Sequence, residues 1–146
     1  MEGQSVYSTS IEDNRYMVRC LSVSGYVASE RFIVDTGAKY TCCHYRAVNR
    51  KLREEHLCDC AFKNLGGIIN GVAVKFYRYH LKQFTIGNID MREQDIWLTF
   101  DERVTDIILG LDILKQIFMV INPYDERAYF CKDQEDFCEW FRLSAG

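Results

Sequence analysis

Short stretches in which apolar and polar residues alternate run through most of this chain of 146 residues. Residues 16–23 form one stretch, in which Met17, Arg19, Leu21 and Val23 alternate with Tyr16, Val18, Cys20 and Ser22. Residues 26–34 form a second stretch that ends in the apolar triplet Phe32-Ile33-Val34. Such alternation is typical of β-strands with one buried face, and turn residues between the stretches predict short connections. Many short strands with regular turns predict an all-β protein whose sheet closes into a barrel or packs as a sandwich.

Two segments have a helical period instead. Residues 47–57 place apolar residues on one face and charged residues on the other, which predicts a short amphipathic helix. Residues 133–143 carry Phe137, Trp140 and Phe141 at helical spacing, which predicts a C-terminal helix that docks on the core. Residues 112–116 predict one or two helical turns. We therefore expect an all-β, closed β-barrel-like fold with one or two short helices.

Length and charge limit the class of protein. A chain of 146 residues suits a single domain, here residues 1–146 with a core at about 16–131. Lys and Arg total 18 against 21 Asp and Glu, so no basic excess is available to bind a nucleic-acid backbone. No apolar run approaches the roughly 18 residues of a membrane span. We expect neither a nucleic-acid nor a membrane partner.

The chain has seven cysteines, an odd number that cannot all pair within one molecule. Its first residues are polar and show no apolar signal-peptide segment, so we expect a cytoplasmic protein in a reducing compartment. Most of these thiols are then expected to be free and to pack as small apolar side chains.

An acidic residue directly follows the apolar strand 32–34. The sequence there is Asp35-Thr36-Gly37-Ala38. A carboxylate at the end of a buried strand is costly unless it has a partner or a function, and glycine allows a close backbone approach. Asp-Thr-Gly alone is a weak signal, and the simplest alternative is an Asx turn.

A second element lies far downstream, where residues 106–114 place an apolar strand, a glycine and a short helical segment in succession. Together with Asp35-Thr36-Gly37-Ala38 this element resembles the retropepsin-like aspartic proteases, over roughly residues 16–130. The resemblance implies that the first strand ends in a psi-shaped loop, through which the later strand is threaded. The threaded strand would contain Ile108, Leu109 and Gly110.

The same resemblance implies roles for other residues. Asp35 would be catalytic, and Thr36, Gly37 and Ala38 would support the catalytic loop. A glycine-containing segment between the two elements would be the flap that closes over the substrate, with residues Gly66, Gly67, Ile68, Ile69, Asn70 and Gly71.

The chain contains Asp-Thr-Gly once, because Asp101, Asp106 and Asp112 are not followed by Thr-Gly or Ser-Gly. We therefore expect a homodimer in which two Asp35 carboxylates meet on the two-fold axis. Two carboxylates about 3 Å apart share one proton and can activate a water molecule against a peptide bond. The predicted activity is that of an aspartic endopeptidase on a peptide or protein substrate, without a metal or other cofactor.

One position departs from the family pattern. Lys39, followed by Tyr40, stands where family members often have a polar or acidic residue that helps to hold the substrate backbone. Its positive charge would favour the ionised form of a nearby acid.

Two other functions remain open on the sequence alone. One is a catalytically silent dimeric interaction domain on the same fold. The other is a zinc-binding regulatory module, although the spacings do not match the usual Cys-x₂₋₄-Cys pattern and adjacent strand residues point to opposite faces. Its ligands would come from Cys42, Cys43, His44, His56, Cys58 and Cys60.

Overall fold

The computed structural model describes residues 6–23, 27–57, 59–69 and 72–145. Within these ranges the chain is mostly β-structure. The strands are β1 (Val6–Glu12), β2 (Arg15–Val23), β3 (Val27–Val34), β4 (Cys42–His44), β5 (Phe62–Ile69), β6 (Val72–Leu81), β7 (Gln83–Ile86), β8 (Ile89–Asp90), β9 (Gln94–Thr99), β10 (Ile108–Leu109), β11 (Phe118–Asn122) and β12 (Arg127–Cys131). The α-helices are α1 (Leu111–Leu114) and α2 (Gln134–Ala145), and 3₁₀ helices span Tyr45–Ala47 and Glu54–Leu57.

All these strands belong to one hydrogen-bonded sheet. Its main path runs β11-β12-β1-β2-β3-β10-β4-β9-β6-β5, while β7 pairs with β2 and β8 pairs with β7. Strand β10 is parallel to β3, and β4 is parallel to β9, whereas neighbouring hairpins such as β2–β3 and β5–β6 are antiparallel. Strand β10 thus lies beside the end of β3, where Asp35 follows, and it separates β3 from β4.

The sheet curls over one main core. Phe130 of β12, near one end of the strand path, and Ile96 of β9, near the other, are both fully buried in the same apolar cluster. Phe32 and Phe84 contact each other edge to face in this cluster, with ring centroids 5.8 Å apart. Among the described residues, the terminal strands β11 and β5 do not pair with each other. The all-β prediction with short helices is thus confirmed, but a sheet closed into a barrel is not.

The predicted helix at residues 47–57 was wrong, since two short 3₁₀ helices flank an irregular stretch there. In this stretch, side chains accept hydrogen bonds from backbone N–H groups that a helix would pair with backbone carbonyls. The side-chain oxygen of Asn49 accepts from the Lys51 N–H at 3.1 Å, and Nδ1 of His56 accepts from the Arg53 N–H at 3.2 Å. Such local bonds give the backbone an alternative to helix, and burial of Val48 and Leu57 explains the apolar spacing.

The predicted C-terminal helix is present as α2. Asp133 caps it, because its side chain accepts from the Asp136 N–H at 2.8 Å. Phe137 and Trp140 contact the last hairpin, with the Trp140 ring 5.4 Å from that of Tyr129 and the Phe137 ring 5.5 Å from that of Phe118. Neither described α-helix has the length and apolar character needed to cross a membrane.

Candidate active site

Strand β10 lies between β3 and β4 in the sheet, although it comes much later in the chain. The Ile33 N–H donates to the Ile107 carbonyl at 2.7 Å, and the Asp35 N–H donates to the Leu109 carbonyl at 3.1 Å. On its other side, Ile108 pairs with Cys42. The loop at residues 35–41, which joins β3 to β4, must therefore pass around β10. This is the psi-shaped arrangement that the sequence predicts.

The Asp35 carboxylate lies at the start of this loop and is half-buried. One of its oxygens, Oδ1, accepts from the Gly37 N–H at 2.9 Å, and the Ala38 N–H donates to the Asp35 carbonyl at 3.1 Å. A backbone donor of this kind fixes the orientation of a carboxylate. Thr36 is exposed beside it. The Asx turn, which is the simplest interpretation of Asp-Thr-Gly in the sequence, is thus present. It fixes the position of the Asp35 side chain.

Thr41, at the end of the loop, ties the loop to the segment after β10. Its side chain is fully buried, and its hydroxyl donates to Oδ1 of Asp112 at 2.7 Å while accepting from the Gly110 N–H at 2.9 Å. The Thr41 N–H donates to the same Asp112 oxygen at 2.9 Å. A buried hydroxyl with both a donor and an acceptor partner avoids the cost of an unsatisfied polar group.

Gly110 allows the loop and the start of α1 to approach each other closely. The Leu111 N–H donates to the Ala38 carbonyl at 2.8 Å, and the Asp112 N–H donates to the Lys39 carbonyl at 3.2 Å. A Cβ on Gly110 would lie 2.5 Å from the Tyr40 carbonyl carbon. Backbone atoms cannot move aside as a flexible side chain can, so this crossing requires glycine.

A groove with a cavity volume of about 950 Å³ opens beside Asp35. Its lining combines the loop at residues 35–41, Ile108 of β10 and the hairpin β5–β6. Ile108, Val74 and Phe76 contribute apolar surface, whereas Asp35, Lys39 and Lys63 contribute charges. A concave, mainly apolar surface with a few polar groups is the usual form of a ligand-binding site.

The hairpin β5–β6 occupies the place of the predicted flap. Its pairing register shifts between Asn64 and Ile68, which indicates a bulge in this stretch. Asn64 and Val74, from the two strands of the hairpin, both line the groove. Four predicted flap residues, Gly66, Gly67, Ile68 and Ile69, belong to β5, while Asn70 and Gly71 lie outside the described residues.

An aromatic and cationic cluster lies at the same groove, with Lys39, Tyr40 and Lys63 in the lining. The Lys63 ammonium donates to the Tyr40 hydroxyl at 2.6 Å and lies 5.2 Å from the Trp97 ring centroid. Tyr40 and Trp97 contact edge to face at 5.7 Å. The hydrogen bond from Lys63, together with the positive charges of Lys39 and Lys63, lowers the pKa of the Tyr40 hydroxyl.

Residues 22–116 match the family model described as "gag-polyprotein putative aspartyl protease". The chain belongs to this family of aspartyl proteases. Its fold is similar to that of a retropepsin-like aspartic protease from Rickettsia conorii, with a TM-score of 0.59 at 15% sequence identity. That match covers 89% of this chain and 96% of the solved structure. No curated protein matches the chain.

The aspartyl protease fold brings together the elements that the sequence predicts. Asp35, Gly37, Ala38 and Ile108 all line the groove, and Gly110 makes the close crossing. Leu109 instead is fully buried in the main core. Thr36 is exposed and does not line the groove in the single chain.

Sequence reasoning missed the residues that join distant segments. Thr41 and Asp112 hold the crossing, and Lys63 reaches across the groove to Tyr40. Thr41 comes directly before β4, and Asp112 lies two residues after Gly110. Their closeness to the two motifs in the sequence is the one feature that could have pointed to them.

The cysteines and histidines considered as zinc ligands do not form one site in the described residues. Cys43 is buried in the main core, whereas Cys42, on the opposite face of β4, lines the groove. Burial, with the charges of Asp112 and Asp35, raises the pKa of the Cys42 thiol to about 11. Among the described residues, no group of three or more potential ligands is placed to hold a metal ion; Cys58 lies outside them.

The close crossing at Gly110 predicts a large effect of an added methyl group. We expect Gly110→Ala to lower the free energy of unfolding by about 2 kcal/mol or more, because the backbone of Tyr40 must shift. Urea unfolding at a fixed protein concentration measures this. Gly37→Ala is the matched control, since its Cβ would meet Oδ1 of Asp35 at 3.2 Å, and an equal loss in both variants would contradict the prediction.

The burial of the thiols predicts their order of reaction. Cys138 is exposed, whereas Cys20 and Cys43 are buried and burial raises the pKa of both thiols. We expect iodoacetamide to label Cys138 in the native protein well before the other two, with all three reacting in guanidinium chloride. Peptide mapping by mass spectrometry gives the order. Native-state labelling of Cys43 as fast as that of Cys138 would contradict the observed packing.

Proposed function

We propose that this protein is an aspartic endopeptidase that acts as a homodimer, with Asp35 as its catalytic residue. The observation that supports the proposal best is the position of the Asp35 carboxylate. It stands at the end of β3, oriented by the Gly37 N–H, beside a groove large enough for a peptide. Membership of the aspartyl protease family and the retropepsin-like fold agree with this chemistry.

The proposed dimer follows from the number of motifs. An aspartyl dyad needs two carboxylates, and this chain carries Asp-Thr-Gly once. A second copy related by a two-fold axis would supply the second Asp35 and extend the groove on the other side. The exposed side chain of Thr36 would then be available to contact the partner subunit's loop.

Two carboxylates held about 3 Å apart cannot both be ionised at low cost, so the pair keeps one proton over a middle pH range. The ionised Asp35 takes a proton from a water molecule as its oxygen attacks the substrate carbonyl carbon. The protonated Asp35 of the partner subunit donates its proton to the carbonyl oxygen, giving a tetrahedral diol. Asp35 then delivers the proton that it took from water to the nitrogen, while the ionised Asp35 of the partner subunit takes a proton from one hydroxyl of the diol. The C–N bond breaks and the two peptide products are released.

The hairpin β5–β6 would act as the flap in this reaction. It already forms part of the groove wall through Lys63, Asn64, Val74 and Phe76. Closure of a hairpin over a bound peptide excludes water and strengthens the electrostatic interactions of the reacting groups.

The proposal predicts that Asp35→Asn abolishes hydrolysis. Loss of the acid–base pair removes a contribution of about 10²–10⁴ to the rate, so cleavage of a mixed peptide library should fall by at least about 100-fold. Mass spectrometry of the digested library measures this, and circular dichroism and sedimentation confirm that the variant is folded with unchanged assembly.

The matched control is Asp90→Asn. Asp90 also accepts from a backbone N–H two residues later, that of Arg92 at 2.8 Å, but it does not line the groove. This variant should retain wild-type cleavage. Equal activity of wild type and Asp35→Asn would disprove the proposed catalytic role.

The shared site also predicts a dependence on association. On dilution below the dimer dissociation constant, specific activity should fall in proportion to the dimer fraction measured by analytical ultracentrifugation. Addition of excess Asp35→Asn chain should inhibit the wild type, because mixed dimers hold a single carboxylate of the required pair. A chain that is fully active as a monomer would contradict this mechanism.

A further inference from the structure

We propose that Lys63, Tyr40 and Lys39 form an anion-binding subsite in the groove, and that the enzyme prefers peptides with an Asp or Glu side chain near the cleaved bond. This inference rests on the proposed function, because it specifies the substrate class of the same groove. The charges and positions of the described residues around Tyr40 support it.

Lys63 and Tyr40 together present several hydrogen-bond donors. The Lys63 ammonium lies 2.6 Å from the Tyr40 hydroxyl oxygen and uses one N–H there. An ammonium has three donors and a phenol has one, so two N–H groups and the Tyr40 O–H stay available to an acceptor. A carboxylate can accept from both residues at once, and bonds of this charge-assisted kind are the stronger ones.

Lys39 adds a second cation to the same place. Its ammonium lies 5.5 Å from the Tyr40 ring centroid, and the Lys63 ammonium lies 4.3 Å from that centroid. Both lysines line the groove together with Tyr40. The two ammonium charges beside the Tyr40 ring create a local positive potential that attracts an anion.

These lysines differ from the arginines of the same chain. Within the described residues, neither Lys39 nor Lys63 is in an ion pair with a carboxylate. Arginines elsewhere are paired, as in Arg15–Asp106, Arg31–Glu12, Arg46–Glu102 and Arg103–Asp101. Among the described residues the cations of the groove thus lack a carboxylate partner, so they can pair with an acidic ligand.

The acidic groups of the groove do not cancel this preference. Asp106 lines the groove, but one of its oxygens lies 3.6 Å from a guanidinium nitrogen of Arg15. Asp35 is the remaining carboxylate of the lining, and the proposed reaction holds it in a dyad that shares one proton. Apolar surface from Val74, Phe76 and Ile108 completes the wall, so the fitting substrate is an apolar peptide with an acidic residue.

The test compares peptides that differ in one charge. Cleavage sites are first identified in a proteome-derived peptide library, and a peptide with an acidic residue near the bond is then synthesised in Glu and Gln forms. We expect kcat/KM to favour the Glu form by about two- to fivefold, which corresponds to the upper half of the range for an exposed ion pair. The preference should fall as the salt concentration rises.

Substitutions of lysine test whether the charge preference depends on Lys63. Lys63→Gln should bring the Glu-to-Gln ratio of kcat/KM close to one, and Lys63→Glu should reverse it. Lys75→Gln is the matched control, since Lys75 lies on the same hairpin with its ammonium 4.0 Å from the Phe62 ring but does not line the groove. An unchanged ratio in Lys63→Gln, or no preference in the wild type, would overturn the inference.

Failure of the subsite and failure of the proposed function give different results. Equal cleavage of Glu and Gln peptides would disprove the subsite and leave the peptidase intact. If no library peptide is cleaved above the Asp35→Asn background, the peptidase proposal fails. Binding of a rhodamine-labelled apolar octapeptide with one Glu, against its Gln form, by fluorescence anisotropy then decides on the subsite. Tighter binding of the Glu form that is lost in Lys63→Gln supports it, and equal affinities overturn it.

Discussion

The crossing of β10 with the loop at residues 35–41 is the constraint on which the site depends. A parallel strand inserted between β3 and β4 leaves the loop with no ladder partner of its own, so its polar groups must be satisfied locally. The Ala38 and Lys39 carbonyls accept from the start of α1, and the buried Thr41 hydroxyl joins Gly110 to Asp112. These bonds fix the loop that carries Asp35, and they need a glycine at position 110 because the two backbones meet there.

This arrangement positions a carboxylate without burying it fully. Asp35 keeps partial access to the groove and one backbone donor, which suits the proton exchange with substrate that we propose. The single chain supplies one such carboxylate, and the dimer that we propose would supply the second. The same groove holds cationic and aromatic side chains, with Lys39 and Tyr40 on the loop that carries Asp35 and Lys63 on β5.

Much of the fold could be predicted from local patterns. Alternation predicted the β-rich architecture, and the aromatic spacing at residues 133–143 predicted α2. The segment at residues 47–57 misled because its apolar spacing arises from burial of Val48 and Leu57, while Asn49 and His56 bond to the nearby backbone. A period in the sequence records which residues are buried, and side-chain bonds to the backbone can replace a continuous helix between those residues.

The sequence by itself determined the family and the residues of the crossing, because Asp35-Thr36-Gly37-Ala38 and Ile108-Leu109-Gly110 are contiguous motifs whose glycines meet steric demands. Only the tertiary structure decided that Thr41 bonds to Asp112 and that Lys63 reaches Tyr40. These pairs are 71 and 23 residues apart in the chain. Contacts between residues so far apart arise from the order in which strands join the sheet, and no local preference of either residue specifies its partner.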